Sequence, residues 1–250
     1  MNLLEQLEES GIEEVCLVIG EEEQAQYDAF FSPLSQEHIS KLSEEKRAYE
    51  EKILEIGKKI TYAYQKERKG FGHAVYQCRE FAGNEPVLLL LGDMIYESFE
   101  ERTCSLQLIE AYEECGKTMI SMQDVPLESV SHYGIMCGKW ENSNENLLKI
   151  TQMVEKPDIN YAKDCLKVRT KSDGDKYYCA YGQYILTPEV FEALEYNIKN
   201  NITTKGEIQL TDALDSVRET SGIMGFVFNG KVYDVGTPDM YRETIANYGR

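Results

Sequence analysis

An α/β fold on a largely parallel sheet is what this sequence predicts, and three observations carry the prediction. Segments of helical and strand periodicity alternate along nearly the whole chain. The run VLLLLGD, Val87 to Asp93, is apolar without alternation, the pattern expected of a strand covered on both faces. Glycine and proline fall at the segment ends, where they stop or start regular structure. At 250 residues the simplest organisation is one domain spanning residues 1–250.

The elements follow in order. LLEQLEESG places Leu3, Leu4 and Leu7 at helical spacing and stops at Ser10-Gly11; EEVCLVIG is then a short buried strand closed by Gly20. Residues 21–56 are dense in Glu, Lys and Gln and broken at Ser32-Pro33, which predicts two helices. KKITYAY alternates as a strand does, and HAVYQCREFA has helical spacing. After VLLLLGD come a helix at Leu106 to Cys115 and strands at Lys117 to Met122, Tyr133 to Cys137 and Leu148 to Glu155. The polar stretch from Asp158 to Lys176 reads as a surface excursion. A strand at Ala180 to Leu186, a helix opened by Thr187-Pro188, a helix in EIQLTDALDSVRE, a hairpin MGFVFNGKVYDVG and a last helix from Pro238 complete the pattern.

Composition narrows the function. Hydrophobic residues at 42% and charged residues at 28% describe a folding globular chain rather than a disordered one. With 44 acidic against 26 basic residues the net charge is -18, which repels nucleic acid and anionic membrane surfaces. The same field repels a nucleotide triphosphate, so a phosphate site here needs local cations, a metal or backbone N–H groups. Seven scattered cysteines, an odd number without a CxxC pair, read as reduced thiols. The acidic N-terminal stretch lacks the cationic and apolar regions of a signal peptide, and the expected location is cytoplasmic.

Ligands of open α/β sheets bind beyond the carboxyl ends of the strands. Asp93 follows VLLLLG and Asp234 ends KVYDVG, and two such carboxylates could share Mg²⁺ with substrate phosphates or simply cap turns. Glu155-Lys156-Pro157 fixes an anion beside a cation at a strand end; Lys156 could hold a phosphate and Glu155 accept from sugar hydroxyls, or both could be solvated charges. KGFGHAV, Lys69 to Val75, has the glycines of a phosphate loop but no P-loop or dinucleotide fingerprint, and His73 fits a helix start better than a catalytic base.

Taken in order and spacing, KGFGHAV, LLLLGDMIY, YGIM, MVEKP, GQYILTPEVFEAL, GEIQLTDAL and YDVGTPDMY resemble the bacterial UTP:glucose-1-phosphate uridylyltransferases, members of the sugar-nucleotidyltransferase superfamily. The resemblance runs from Met1 to Tyr248 and rests most on GEIQLTDAL and KGFGHAV. It implies a Rossmann-like nucleotide-diphospho-sugar transferase fold, a mixed, mostly parallel sheet with helices on both faces. It also implies the reaction of UTP with glucose 1-phosphate to give UDP-glucose and pyrophosphate. Carried over residue by residue, Gln65 reads the uracil edge and Gly70 brings the backbone close to the base. Asp93 and Asp234 hold Mg²⁺, Gly134 and Gly182 line the glucose, Glu155 takes its hydroxyls, and Lys156 takes the phosphate of glucose 1-phosphate. Family members commonly self-associate, so a homo-oligomer is a further implication.

Two departures stand out. LGDMIY has methionine where the family commonly carries a second aspartate, and the Asp158 to Lys176 excursion is longer than the family's. The family also opens with a strand, a GxGTR phosphate loop and a lysine, whereas Met1 falls in the helix after them. The expectation is therefore an N-terminally truncated fold: a mis-started or truncated product, or one that needs a complementing N-terminal fragment. With a first strand central to the sheet, its loss would leave a gap beside EEVCLVI. Two other readings remain open: a non-catalytic sugar-nucleotide-binding or regulatory paralogue, and a nucleotidyltransferase that uses dTTP or another sugar 1-phosphate.

Overall fold

The structure, a computed structural model, describes residues 2–171 and 173–249. Met1, where the resemblance begins, Ser172, inside the expected excursion, and Arg250 lie outside the described residues. The N-terminal third holds α1 (Asn2–Glu9), β1 (Val15–Ile19), α2 (Gln24–Phe30), α3 (Gln36–Lys41), α4 (Glu44–Gly57), β2 (Ile60–Tyr64), α5 (Phe71–Tyr76) and α6 (Arg79–Ala82). The middle holds β3 (Val87–Leu90), β4 (Met94–Ser98), α7 (Cys104–Cys115), β5 (Met119–Val125), β6 (Gly134–Trp140), β7 (Leu147–Glu155), α8 (Ile159–Cys165) and β8 (Val168–Thr170). The chain ends with β9 (Gly174–Leu186), α9 (Pro188–Lys199), α10 (Leu210–Thr220), β10 (Ile223–Phe226), β11 (Gly230–Asp234) and α11 (Pro238–Asn247).

Local chemistry sets several of these boundaries. The side chains of Ser43, Thr103, Asp158 and Thr237 accept from backbone N–H groups in the first turns of α4, α7, α8 and α11. Gly116 ends α7 in the left-handed conformation, φ 62.

The main sheet has seven strands in the order β3-β9-β5-β10-β7-β6, with β8 paired to β9 and β6 also reaching β9. Alternation along its strands sends side chains to two cores. Ile120, Tyr184 and Leu186 join Val75, Phe191, Leu194 and Leu214 under α5, α9 and α10. Their neighbours Met119 and Ile185 join Leu108, Phe226 and Tyr96 under α1 and α7. Helices therefore cover both faces, and each fully buried aliphatic or aromatic side chain contributes about 1.5–3 kcal/mol.

The α/β class and the mixed sheet stand as the sequence predicts, with a smaller parallel share. Among the described strands, β1–β2 and β5–β10 pair in parallel, and the other pairings are antiparallel. β1 and β2 form a two-stranded sheet of their own. The VLLL run of β3 is half-buried at every residue rather than covered on both faces, because β9 is its one sheet partner among the described strands. The expected excursion is partly ordered, as α8 and as β8 paired to β9.

MGFVFNGKVYDVG is not a hairpin. β10 inserts between β5 and β7, whereas β11 leaves that sheet and pairs with β4, a strand the sequence reading missed. The crossing is fixed at Asn229, whose N–H donates to Gln107 Oε1 at 2.8 Å and whose carbonyl accepts from Phe99 N–H at 3.0 Å. No helix among the described residues is long and apolar enough to cross a membrane.

Candidate active site

Asp93 lies just beyond β3, Glu155 ends β7, Asp234 ends β11, and Gln65 follows β2, so four candidate side chains stand at carboxyl ends of strands. Asp93 and Asp234 come together. The β4–β11 ladder sets Asp234 opposite Met94, and the Val235 N–H donates to the Asp93 carbonyl at 2.8 Å. A methyl group added to Gly236 would lie 3.0 Å from Asp93 Oδ2 and 3.1 Å from Asp234 Oδ1. Both carboxylates thus converge on one glycine, whose N–H already holds Asp234 Oδ1 at 2.7 Å. Two carboxylate oxygens meeting over a small residue fit a hard cation that completes its shell with phosphate oxygens and water.

Gly134 and Glu155 face each other across β6 and β7, and a Cβ at Gly134 would meet Glu155 Oε2 at 2.9 Å. The absence of a side chain there leaves the carboxylate room. Lys156 takes a left-handed conformation, φ 48, with its N–H donating to the Tyr133 carbonyl at 3.0 Å. This costs on the order of 1 kcal/mol for a residue with a Cβ and turns the side chain off the strand line. Its ammonium stands 3.8 Å from Glu155, with both side chains about half exposed, a weak pair that a phosphate can displace.

Two tyrosines that the sequence reading passed over join these groups. The Tyr133 and Tyr181 rings lie 6.2 Å apart, each directly before one of the expected site glycines, Gly134 and Gly182. Burial pushes both hydroxyls above their usual range, and the charge of Asp234 adds to the effect on each. The repeated dipeptide Tyr-Gly was the available signal. Gly182, φ 78, packs against Tyr96 and Met94: a Cβ there would meet the Tyr96 hydroxyl at 2.6 Å, and its carbonyl accepts from Leu91 N–H at 3.1 Å.

The KGFGHAV corner is built against GEIQL. Ile208 N–H donates to the Lys69 carbonyl at 2.8 Å and Gly72 N–H to the Ile208 carbonyl at 2.9 Å. Gln65 Nε2 donates to the Gly70 carbonyl at 3.1 Å and sits 3.2 Å from His73 Nδ1. His73 is in the first turn of α5, yet its ring clasps Gln65 rather than capping the helix. With an amide N–H aimed at Nδ1 the ring is neutral, which agrees with burial pushing its pKa down.

The chain matches the family model described as nucleotidyl transferase over residues 2–250. A UTP–glucose-1-phosphate uridylyltransferase of Staphylococcus haemolyticus is 35% identical over 253 residues, covering 98% of this chain and 79% of that protein. A second, from Staphylococcus saprophyticus, is 33% identical over 252 residues with the same coverage. Among solved structures, an apo UDP-glucose pyrophosphorylase superposes with a TM-score of 0.82 at 29% identity, covering 99% of this chain and 85% of that one. A UDP-glucose pyrophosphorylase in complex with UDP-glucose gives 0.79 at 28% identity, covering 99% and 84%. Fold, motif order and near-complete coverage agree, and the chain belongs to the nucleotidyl transferase family.

Proposed function

We propose that residues 1–250 form one domain that transfers a uridylyl group from UTP to glucose 1-phosphate, giving UDP-glucose and pyrophosphate in the cytoplasm. The observation that carries this is the convergence of Asp93 and Asp234 on Gly236. The two carboxylates would hold Mg²⁺, which when bound neutralises charge on the transferring phosphate. Lys156 binds the phosphate of glucose 1-phosphate, and its half-exposed ammonium supplies the local cation that a chain of net charge -18 needs. Glu155 accepts hydrogen bonds from the sugar hydroxyls, while the backbones of Gly134 and Gly182 let the ring lie close. Gln65 holds the uracil edge: its amide nitrogen is engaged by Gly70 and His73, so its oxygen is the group that accepts the uracil N–H. Gly70 keeps the chain tight beneath the base.

An oxygen of the sugar phosphate attacks the α-phosphorus of UTP. A new P–O bond forms, the bond to the β-phosphate breaks, and pyrophosphate leaves. The nucleophile is already an anion and needs no general base. The residues act by positioning and charge neutralisation, effects that together lower barriers by several kcal/mol.

A coupled pyrophosphate-release assay with UTP, Mg²⁺ and glucose 1-phosphate tests the proposal, with dTTP and galactose 1-phosphate run alongside. Turnover with UTP and glucose 1-phosphate is expected. UDP-glucose binding without turnover would favour a non-catalytic sugar-nucleotide-binding protein, and preference for dTTP or another sugar would reassign the substrate.

A further inference from the structure

Cys16 and Cys78, 62 residues apart in sequence, place their sulfurs 3.5 Å apart. Cys16 is the second residue of β1 and partly buried; Cys78 is buried in the turn between α5 and α6. All seven cysteines carry free thiols. The two elements this pair joins are the two that build the Gln65 corner. At the end of β1 the Ile19 carbonyl accepts from Gln65 N–H at 2.9 Å, and α5 carries His73, which clasps the Gln65 side chain at 3.2 Å.

We propose that Cys16 and Cys78 form a reversible disulfide that responds to hydrogen peroxide and resets the corner holding Gln65. The corner's role in binding the uracil rests on the functional reading above; the bond itself does not. Cys16 is the attacking thiol, since it is the accessible one and the Cys78 thiol, donating to its sulfur, holds its pKa below the usual value. Its thiolate attacks one peroxide oxygen, the O–O bond breaks, and hydroxide leaves as water after taking a proton. The resulting sulfenic acid on Cys16 is then attacked by Cys78 as its thiol proton departs. The S–S bond forms, the S–O bond breaks and a second water leaves, so two thiols and one hydrogen peroxide give one disulfide and two waters.

The bond requires the sulfurs to close from 3.5 Å to a length of about 2.05 Å. That movement draws β1 and the α5–α6 turn together beneath Gln65 and His73, and a displacement of about 1 Å at a positioning residue suffices to weaken substrate use severely.

The test treats the full-length protein with hydrogen peroxide and maps its peptides without reduction. A cross-linked peptide pair containing Cys16 and Cys78, 2 Da lighter than the sum of the free peptides by loss of two hydrogens, is expected. Dithiothreitol should reverse the link, and Cys16→Ser and Cys78→Ser should each abolish it, with Cys115→Ser as the control that keeps it. Oxidation should also slow amide hydrogen exchange across residues 65–77 and raise KM for UTP about tenfold, an effect absent in Cys16→Ser. If Cys16 ends as sulfinic acid, stays reduced, or links only between chains, the disulfide is refuted. A formed link that leaves exchange at 65–77 unchanged refutes the coupling to the corner, whether or not the protein turns over UTP.

Discussion

Gly70 presses against Ile208: a methyl group on its Cα would lie 2.7 Å from the Ile208 carbonyl oxygen. With φ 112 the position is also closed to ordinary L side chains. The glycine is thus demanded by a second stretch of this chain, 138 residues further on, before any ligand arrives. Gly70→Ala should lower stability by about 2–4 kcal/mol, a sum of strain and displaced backbone. Urea denaturation followed by circular dichroism measures it, and a loss within about 0.5 kcal/mol of wild type would contradict the close approach.

Gly236 offers a cleaner probe of the carboxylate pair, because its φ is ordinary and its surroundings are exposed. Gly236→Ala should leave the unfolding midpoint nearly unchanged, push Asp93 and Asp234 apart, and raise the Mg²⁺ concentration for half-maximal activity at least tenfold. Asp93→Ala should abolish Mg²⁺-dependent turnover, and substantial residual activity would refute its assigned role. Titration of activity with Mg²⁺ reads both.

Lys156→Ala removes the cation but keeps a Cβ in the same left-handed conformation, so folding should be unaffected. Lys156→Ala should cut kcat/KM for glucose 1-phosphate by about 10²-fold, roughly 2.7 kcal/mol of transition-state stabilisation, while KM for UTP changes little. Equal losses for both substrates would place Lys156 elsewhere in the reaction.

His73 sets a pH dependence. Its pKa is lowered in the folded state by burial, then by Lys69, so between the folded and unfolded values the unfolded chain binds more protons. Stability from this group is therefore complete above about pH 6.5 and declines as pH falls below that value. His73→Gln should flatten this part of the stability–pH curve, measured as urea midpoints from pH 7.5 to 5. An unchanged slope would show that the ring titrates freely.

Much of this was legible in the sequence, and the gaps have physical causes. The α9 boundary could be read because Thr187-Pro188 is a start signal whose meaning is local. The pairing of β11 with β4 could not, since Asn229 is redirected by Gln107, a residue 122 positions away. The strand-end positions of Asp93 and Asp234 are readable from the sequence, yet their meeting depends on the same long-range ladder. VLLL reads as a central strand by its apolar run, whereas burial depends on which neighbours actually flank it. Tyr133 and Tyr181 escaped notice because a tyrosine beside a glycine looks local until the sheet sets two such pairs together. His73 is readable as a helix-start residue, but the clasp of its ring on Gln65 is not, because that partner lies in the preceding loop.

The β4–β11 ribbon has a mechanical consequence. Asp93 enters it and Asp234 leaves it at the same end, linked by the Val235 to Asp93 backbone bond, while its far end is fastened at Asn229 to Gln107 of α7. Any swing of the ribbon about that fastening carries both carboxylates as one rigid body. The spacing between them is therefore set by the ribbon's own ladder, and what movement of the ribbon alters is the distance from the pair to Glu155 at the end of β7 and Lys156 just beyond it, the gap across which two substrates would have to meet.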